Sequence, residues 1–162
     1  MKYNFALFIL ISIAFAACVR PPDYPIEPRL EFTSISKNTV VQDGSVGPRD
    51  TFYLTVSFTD GDGDIGFQNT DSTLYVLDTR KNGGRINDVQ GLPYVPEQGA
   101  GNGIAGDIQM RIFGSCCKND LVPCSPSTRF PRDTVVYEVY IKDRAGHESN
   151  RIKTPPIYIL CQ

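Results

Sequence analysis

The stretch Asp60-Gly61-Asp62-Gly63-Asp64-Ile65-Gly66, continued by Phe67-Gln68-Asn69-Thr70 to Asp71, sets three carboxylates at alternate positions with glycine between them. Oxygen ligands at that spacing suit a hard divalent cation, and the glycines let the backbone curl around it. The plainer alternative is a solvated turn, because Asp and Gly dominate turns anyway. Carboxylates so close together repel one another unless a cation sits among them, which favours Ca2+. Magnesium tolerates a distorted cage poorly.

The same string resembles the calcium loop of EF-hands and dockerins. The resemblance places Asp60, Asp62 and Asp64 at the first, third and fifth loop positions, the carbonyl of Gly66 at the seventh, Phe67 at the apolar eighth and Asp71 at the twelfth. Ile65 stands where that family has a glycine for its sharp turn, and a strand rather than a helix leads in. The loop is therefore expected to borrow ligands from elsewhere, with Asp143 and Glu148 as the nearest candidates.

Catalytic groups are scarce. The chain has one histidine, His147, and no G-x-S-x-G elbow, so no nucleophilic triad can be assembled without that residue. Residues 99–106 (GAGNGIAG) are not a phosphate cradle, since neither Lys-Ser nor Lys-Thr follows and a strand comes next. A hydrolase using paired carboxylates is the alternative, as the spacing of acids in a sequence does not fix their separation in space. The expectation is a non-enzymatic protein.

Lys2 followed by the apolar run of residues 5–17 (FALFILISIAFAA) reads as a secretory signal peptide over residues 1–17. A transmembrane helix needs about 20 apolar residues, and this run is shorter. Phe15-Ala16-Ala17-Cys18 resembles the lipobox of bacterial lipoproteins, which implies cleavage before Cys18 and acylation of that cysteine, palmitate included. Val19, rather than an acidic residue, leans by the same resemblance toward the outer membrane. Residues 18–29 then form a lipidated cysteine and a proline-rich spacer, extended enough to hold a domain of residues 30–162 clear of the bilayer.

Five cysteines less Cys18 leave Cys116, Cys117, Cys124 and Cys161, an even set that in an exported chain reads as two disulfides. A vicinal Cys116–Cys117 bridge would be strained, so one of that pair is expected to join Cys124 and the other Cys161. Zinc binding is the competing use of these thiols. The formal net charge of −2 leaves no basic patch for nucleic acid. Membrane contact is expected through the lipid anchor alone.

After the spacer the hydrophobic period is two. Phe52, Leu54, Val56 and Phe58 alternate with Tyr53, Thr55, Ser57 and Thr59, and Val135, Tyr137, Val139 and Ile141 repeat the pattern. Further strands are expected at residues 30–36, 73–80, 107–113 and 151–160, with a weaker one near 89–95. About seven short antiparallel strands with Gly, Pro, Asn and Asp in every gap suggest an all-β sandwich.

Residues 137–150 (YEVYIKDRAGHESN) resemble the end of bacterial immunoglobulin-like and fibronectin-type domains, with His147 in place of the usual Asn. That supports an immunoglobulin-like sandwich and implies nothing enzymatic. Counting strand directions places the loop after residues 51–59 and the loop after residues 134–142 at one pole, which brings Asp143 toward the Asp-rich loop. All four mature cysteines fall at the other. Tyr94, in the long Gly/Pro connection of residues 81–106, either packs as part of a strand or contacts a sugar or protein partner. The functional expectation is a lipid-anchored envelope protein, a binding or structural module with a calcium site. A glycan-binding accessory lipoprotein is the alternative within binding proteins.

Overall fold

The computed structural model describes residues 23–42, 50–69, 73–80, 85–96, 103–117 and 131–161; the expected signal peptide, Cys18, Asp71 and Cys124 lie outside them. The described residues contain ten strands and no helix: β1 Arg29–Ile35, β2 Thr39–Val41, β3 Thr51–Asp60, β4 Leu74–Asp78, β5 Arg85–Gln90, β6 Ile104–Phe113, β7 Arg132–Val135, β8 Tyr137–Ile141, β9 Ile152–Lys153 and β10 Ile157–Leu160. They form three sheets, β1-β3-β6, β2-β10-β7 and β5-β4-β8-β9. Every pairing is antiparallel except the parallel one between β2 and β10.

Two strands expected as single runs are each divided. Residues 134–142 become β7 and β8 on either side of Val136, and residues 151–160 become β9 and β10 on either side of Thr154-Pro155-Pro156. A proline has no N–H to give to a ladder, so two in succession break the pairing there. The Val136 carbonyl turns instead to Thr79, accepting from its backbone N–H at 3.3 Å and its hydroxyl at 2.8 Å. The short β2, with little periodicity to reveal it, was not among the expected strands. The weak strand expected near residues 89–95 lies earlier, at β5, and residues 91–96 have no regular structure. Tyr94 therefore does not sit in a strand.

The pleat of β3 turns Phe52, Leu54 and Val56 inward, each fully buried, while Tyr53 is exposed. In β8 it turns Tyr137, Val139 and Ile141 inward. The Phe52 and Tyr137 rings meet at 6.0 Å between centroids, so the faces of two different sheets close on one core. Leu74, Val76, Ile112, Ile157 and Ile159 complete its centre.

At one end of this core Cys117 and Cys161 are joined by a disulfide, with the chain of β6 and the chain of β10 arriving together. Cys116 is disulfide-bonded as well. Beside them Arg80 donates to Asp78 through Nε and Nη2 (3.0 and 2.6 Å), to Asp133 through Nη1 (2.6 Å) and to the Cys116 carbonyl (3.1 Å). Burial works against that charge, but the hydrogen bonds to Asp78 and the charges of Asp78 and Asp133 outweigh it and hold the guanidinium firmly charged. The other end carries the Asp-rich loop.

Candidate metal centre

Asp60 closes β3 in the same phase as Phe52, Leu54 and Val56, and Asp143 follows β8 in the same phase as Tyr137, Val139 and Ile141. The period of two therefore aims both carboxylates into the core, and both are buried, with 0% and 1% of their surface exposed. A fully buried carboxylate is expensive unless it is hydrogen-bonded, protonated or bound to a cation. The sequence places two such groups at the ends of strands in different sheets, and the fold brings them together.

Asp62 and Asp64 join them from the loop. One ligand oxygen from each of Asp60, Asp62, Asp64 and Asp143 lies within 4.8 Å of all the others. Oδ2 of Asp60 accepts from the Asp64 backbone N–H at 2.9 Å, and Oδ2 of Asp64 from the Ala145 N–H at 2.9 Å. The Oδ1 atoms of Asp60, Asp62 and Asp64 are buried and no protein donor reaches them. Asp143 is held more fully: its Oδ1 accepts from the N–H groups of Gly146 and His147 at 2.6 and 2.7 Å, and its Oδ2 meets His147 Nδ1 at 2.8 Å.

The electrostatics follow from this crowding. Burial, then the charge of Asp62, and further those of Asp64 and Asp143, push the Asp60 carboxyl up to about 7. Asp64 is raised as well, by burial first and by Asp143 and Asp62 after it. His147 is raised chiefly by its hydrogen bond to Asp143.

The loop is fixed by its neighbours. Left-handed backbone occurs at Gly63 (φ 70°) and Gly66 (φ 76°), on either side of Ile65. The turns that the EF-hand resemblance assigns to the sixth position thus fall elsewhere, and Ile65 plugs the core with 2% exposure. A Cβ on Gly66 would sit 2.0 Å from the Pro93 carbonyl oxygen, and one on Gly61 would sit 2.3 Å from that of Tyr24. Arg144 Nη1 donates to the carbonyls of Ile65, Gly66 and Val95 at 3.0, 3.0 and 3.1 Å. The Val95 N–H returns a bond to Ile65 O at 3.1 Å.

Of the residues singled out in the sequence, Asp60, Asp62, Asp64 and Asp143 converge. Gly66 borders the site, and its carbonyl is engaged by Arg144. Glu148 does not join the cluster: it pairs with Arg151 at 3.4 Å with its side chain 47% exposed. Arg144 was missed, because nothing in its spacing distinguishes a residue that clamps three carbonyls. Tyr94 is 39% exposed beside the loop, with the Arg144 guanidinium 4.7 Å from its ring centroid.

All four donors are hard carboxylate oxygens, with no thiolate or imidazole among them, which matches Ca2+, Mg2+ or Mn2+ rather than zinc or copper. Calcium–oxygen distances of about 2.3–2.6 Å allow ligands to stand up to about 5 Å apart, a span that accommodates oxygens lying within 4.8 Å of one another. No known protein family, curated protein or solved structure matches the chain.

Proposed function

We propose that this chain is a lipid-anchored envelope protein, and not an enzyme, whose immunoglobulin-like sandwich uses a structural calcium ion to fix the loops of one pole for binding or scaffolding. The observation that carries the reading is Asp60. Its carboxylate is fully buried, one oxygen has no protein donor, and three other carboxylates surround it. A divalent cation among them offsets both the desolvation and the repulsion.

The immunoglobulin-like reading is supported by the near-continuity of β7 with β8 and of β9 with β10. Taken as single strands they link two of the three sheets into one layer, β5-β4-β8/β7-β9/β10-β2, across the core from β1-β3-β6. The leader and Cys18 support an anchor, and Val19 supports the outer membrane. The non-enzymatic reading rests on the lone His147, which is occupied in orienting the Asp143 turn.

The test is the melting temperature of the purified protein, disulfides intact, in excess calcium and in chelator. Binding to the native state stabilises it by about 2.7 kcal/mol at a hundredfold excess over Kd. A rise in the wild type that Asp60→Asn abolishes is expected; no rise at millimolar calcium overturns the reading.

A further inference from the structure

The later part of the Asp-rich loop forms one wall of an open cleft of about 570 Å3, lined by Phe67, Gln68, Asn69, Tyr94 and Arg144. It combines aromatic surface with the polar side chains of Gln68, Asn69 and Arg144. We propose that this cleft is a carbohydrate subsite that receives one pyranose ring against Tyr94.

The argument begins with rigidity. Tyr94 lies in residues 91–96, outside any strand, yet the segment is bolted down on both sides. The Leu92 N–H donates to Thr73 Oγ1 at 2.7 Å, and Val95 bonds Ile65 O. The Pro93 carbonyl presses on Gly66 so closely that no side chain fits there. Arg144 ties the segment to the loop through Val95 O and packs its guanidinium on the Tyr94 ring. The ring is thus held in one orientation with more than a third of its surface open, at little cost in ordering when a ligand arrives.

The chemistry of the lining selects the ligand class. A fixed aromatic face packs against the C–H face of a pyranose, which is apolar on one side and hydroxyl-rimmed at its edge. The Gln68 carboxamide offers a donor and an acceptor, the pairing that adjacent sugar hydroxyls require. The Arg144 guanidinium also lines the cleft, so the carboxylate of a uronic acid meets no like charge there. Because Phe67, Gln68 and Asn69 belong to the Asp-rich loop, directly after its clustered carboxylates, sugar binding inherits the calcium dependence of that loop. The proposal rests on the calcium reading for this dependence alone.

The experiment is affinity electrophoresis of the protein in calcium through gels containing xylan, mannan, β-glucan or starch as neutral glycans and pectin or alginate as uronic ones. Retardation by at least one of them is expected. Tyr94→Ala should weaken it about tenfold or more while keeping the calcium-dependent rise in melting temperature. Gln68→Ala should weaken it without altering that rise. Wild-type protein retarded by none of the six, or Tyr94→Ala retarded like wild type, overturns the subsite. Absence of the melting rise alongside intact, Tyr94-dependent retardation would overturn the calcium reading and leave the cleft standing.

Discussion

Raising the pH from 5 to 8 in the presence of chelator should destabilise this protein. Asp60 stands near 7 in the folded chain against 3.8 for an ordinary aspartate. Protons are therefore held more tightly by the native state than by the unfolded one throughout that interval. The stability linked to this proton is complete below about 3.8 and is lost as the pH climbs to about 7. At about 1.4 kcal/mol for each pH unit, the full loss is on the order of 4 kcal/mol, of which the part between pH 5 and 7 is most accessible. Asp64, raised for the same reasons, adds in the same direction. Urea midpoints read the effect directly: with a slope of about 1–3 kcal/mol/M, they should fall by roughly 1–2 M from pH 5 to 7 in chelator. Saturating calcium should reverse the trend, because the cation competes with the proton and binds better as the carboxylates ionise. Asp60→Asn, which cannot ionise, should flatten the chelator profile and make the metal-free protein more stable than wild type at pH 8. A midpoint in chelator that is constant or rises between pH 5 and 7 would refute the reasoning about the cluster.

Removing the Cys117–Cys161 bridge by the double change to Ala frees a link spanning 44 residues and should cost about 3–4 kcal/mol. Thermal unfolding should then move down by roughly 10 °C. Gly66→Ala forces a side chain into left-handed backbone against the Pro93 carbonyl; a loss of about 2–4 kcal/mol is expected by urea unfolding, with weaker calcium binding. Ile65→Ala empties a core position and should cost about 2–4 kcal/mol, read in the same assay. Cys18→Ser should abolish incorporation of labelled palmitate and move the protein from the membrane to the soluble fraction; unchanged labelling would remove the anchor from the account.

The all-β character was legible because β3 and β8 alternate without interruption over their whole length. So was the convergence of Asp143 on the Asp-rich loop, which follows from counting strand directions. The stronger signal lay one step further along the same pattern. Extending the inward phase of each strand by two residues lands on Asp60 and on Asp143, which marks both as core-facing charges. What stayed hidden depends on the third dimension. The parallel pairing of β2 with β10 joins residues far apart in the chain. The division of the two late strands arises where a proline pair meets its neighbour. Ile65 reads as an interruption of a calcium-loop pattern, and it becomes intelligible once it is seen filling the core while Gly63 and Gly66 make the turns. Arg144 acts through backbone carbonyls, which carry no side-chain signature.

The most direct test of the central claim is a calorimetric titration of calcium into chelator-stripped protein at pH 8, with magnesium in a parallel cell. One calcium per chain should bind, with no comparable heat from magnesium and no binding by Asp60→Asn. Wild-type protein that takes up no calcium in the millimolar range would contradict it, and the four converging carboxylates would then have to hold a proton instead.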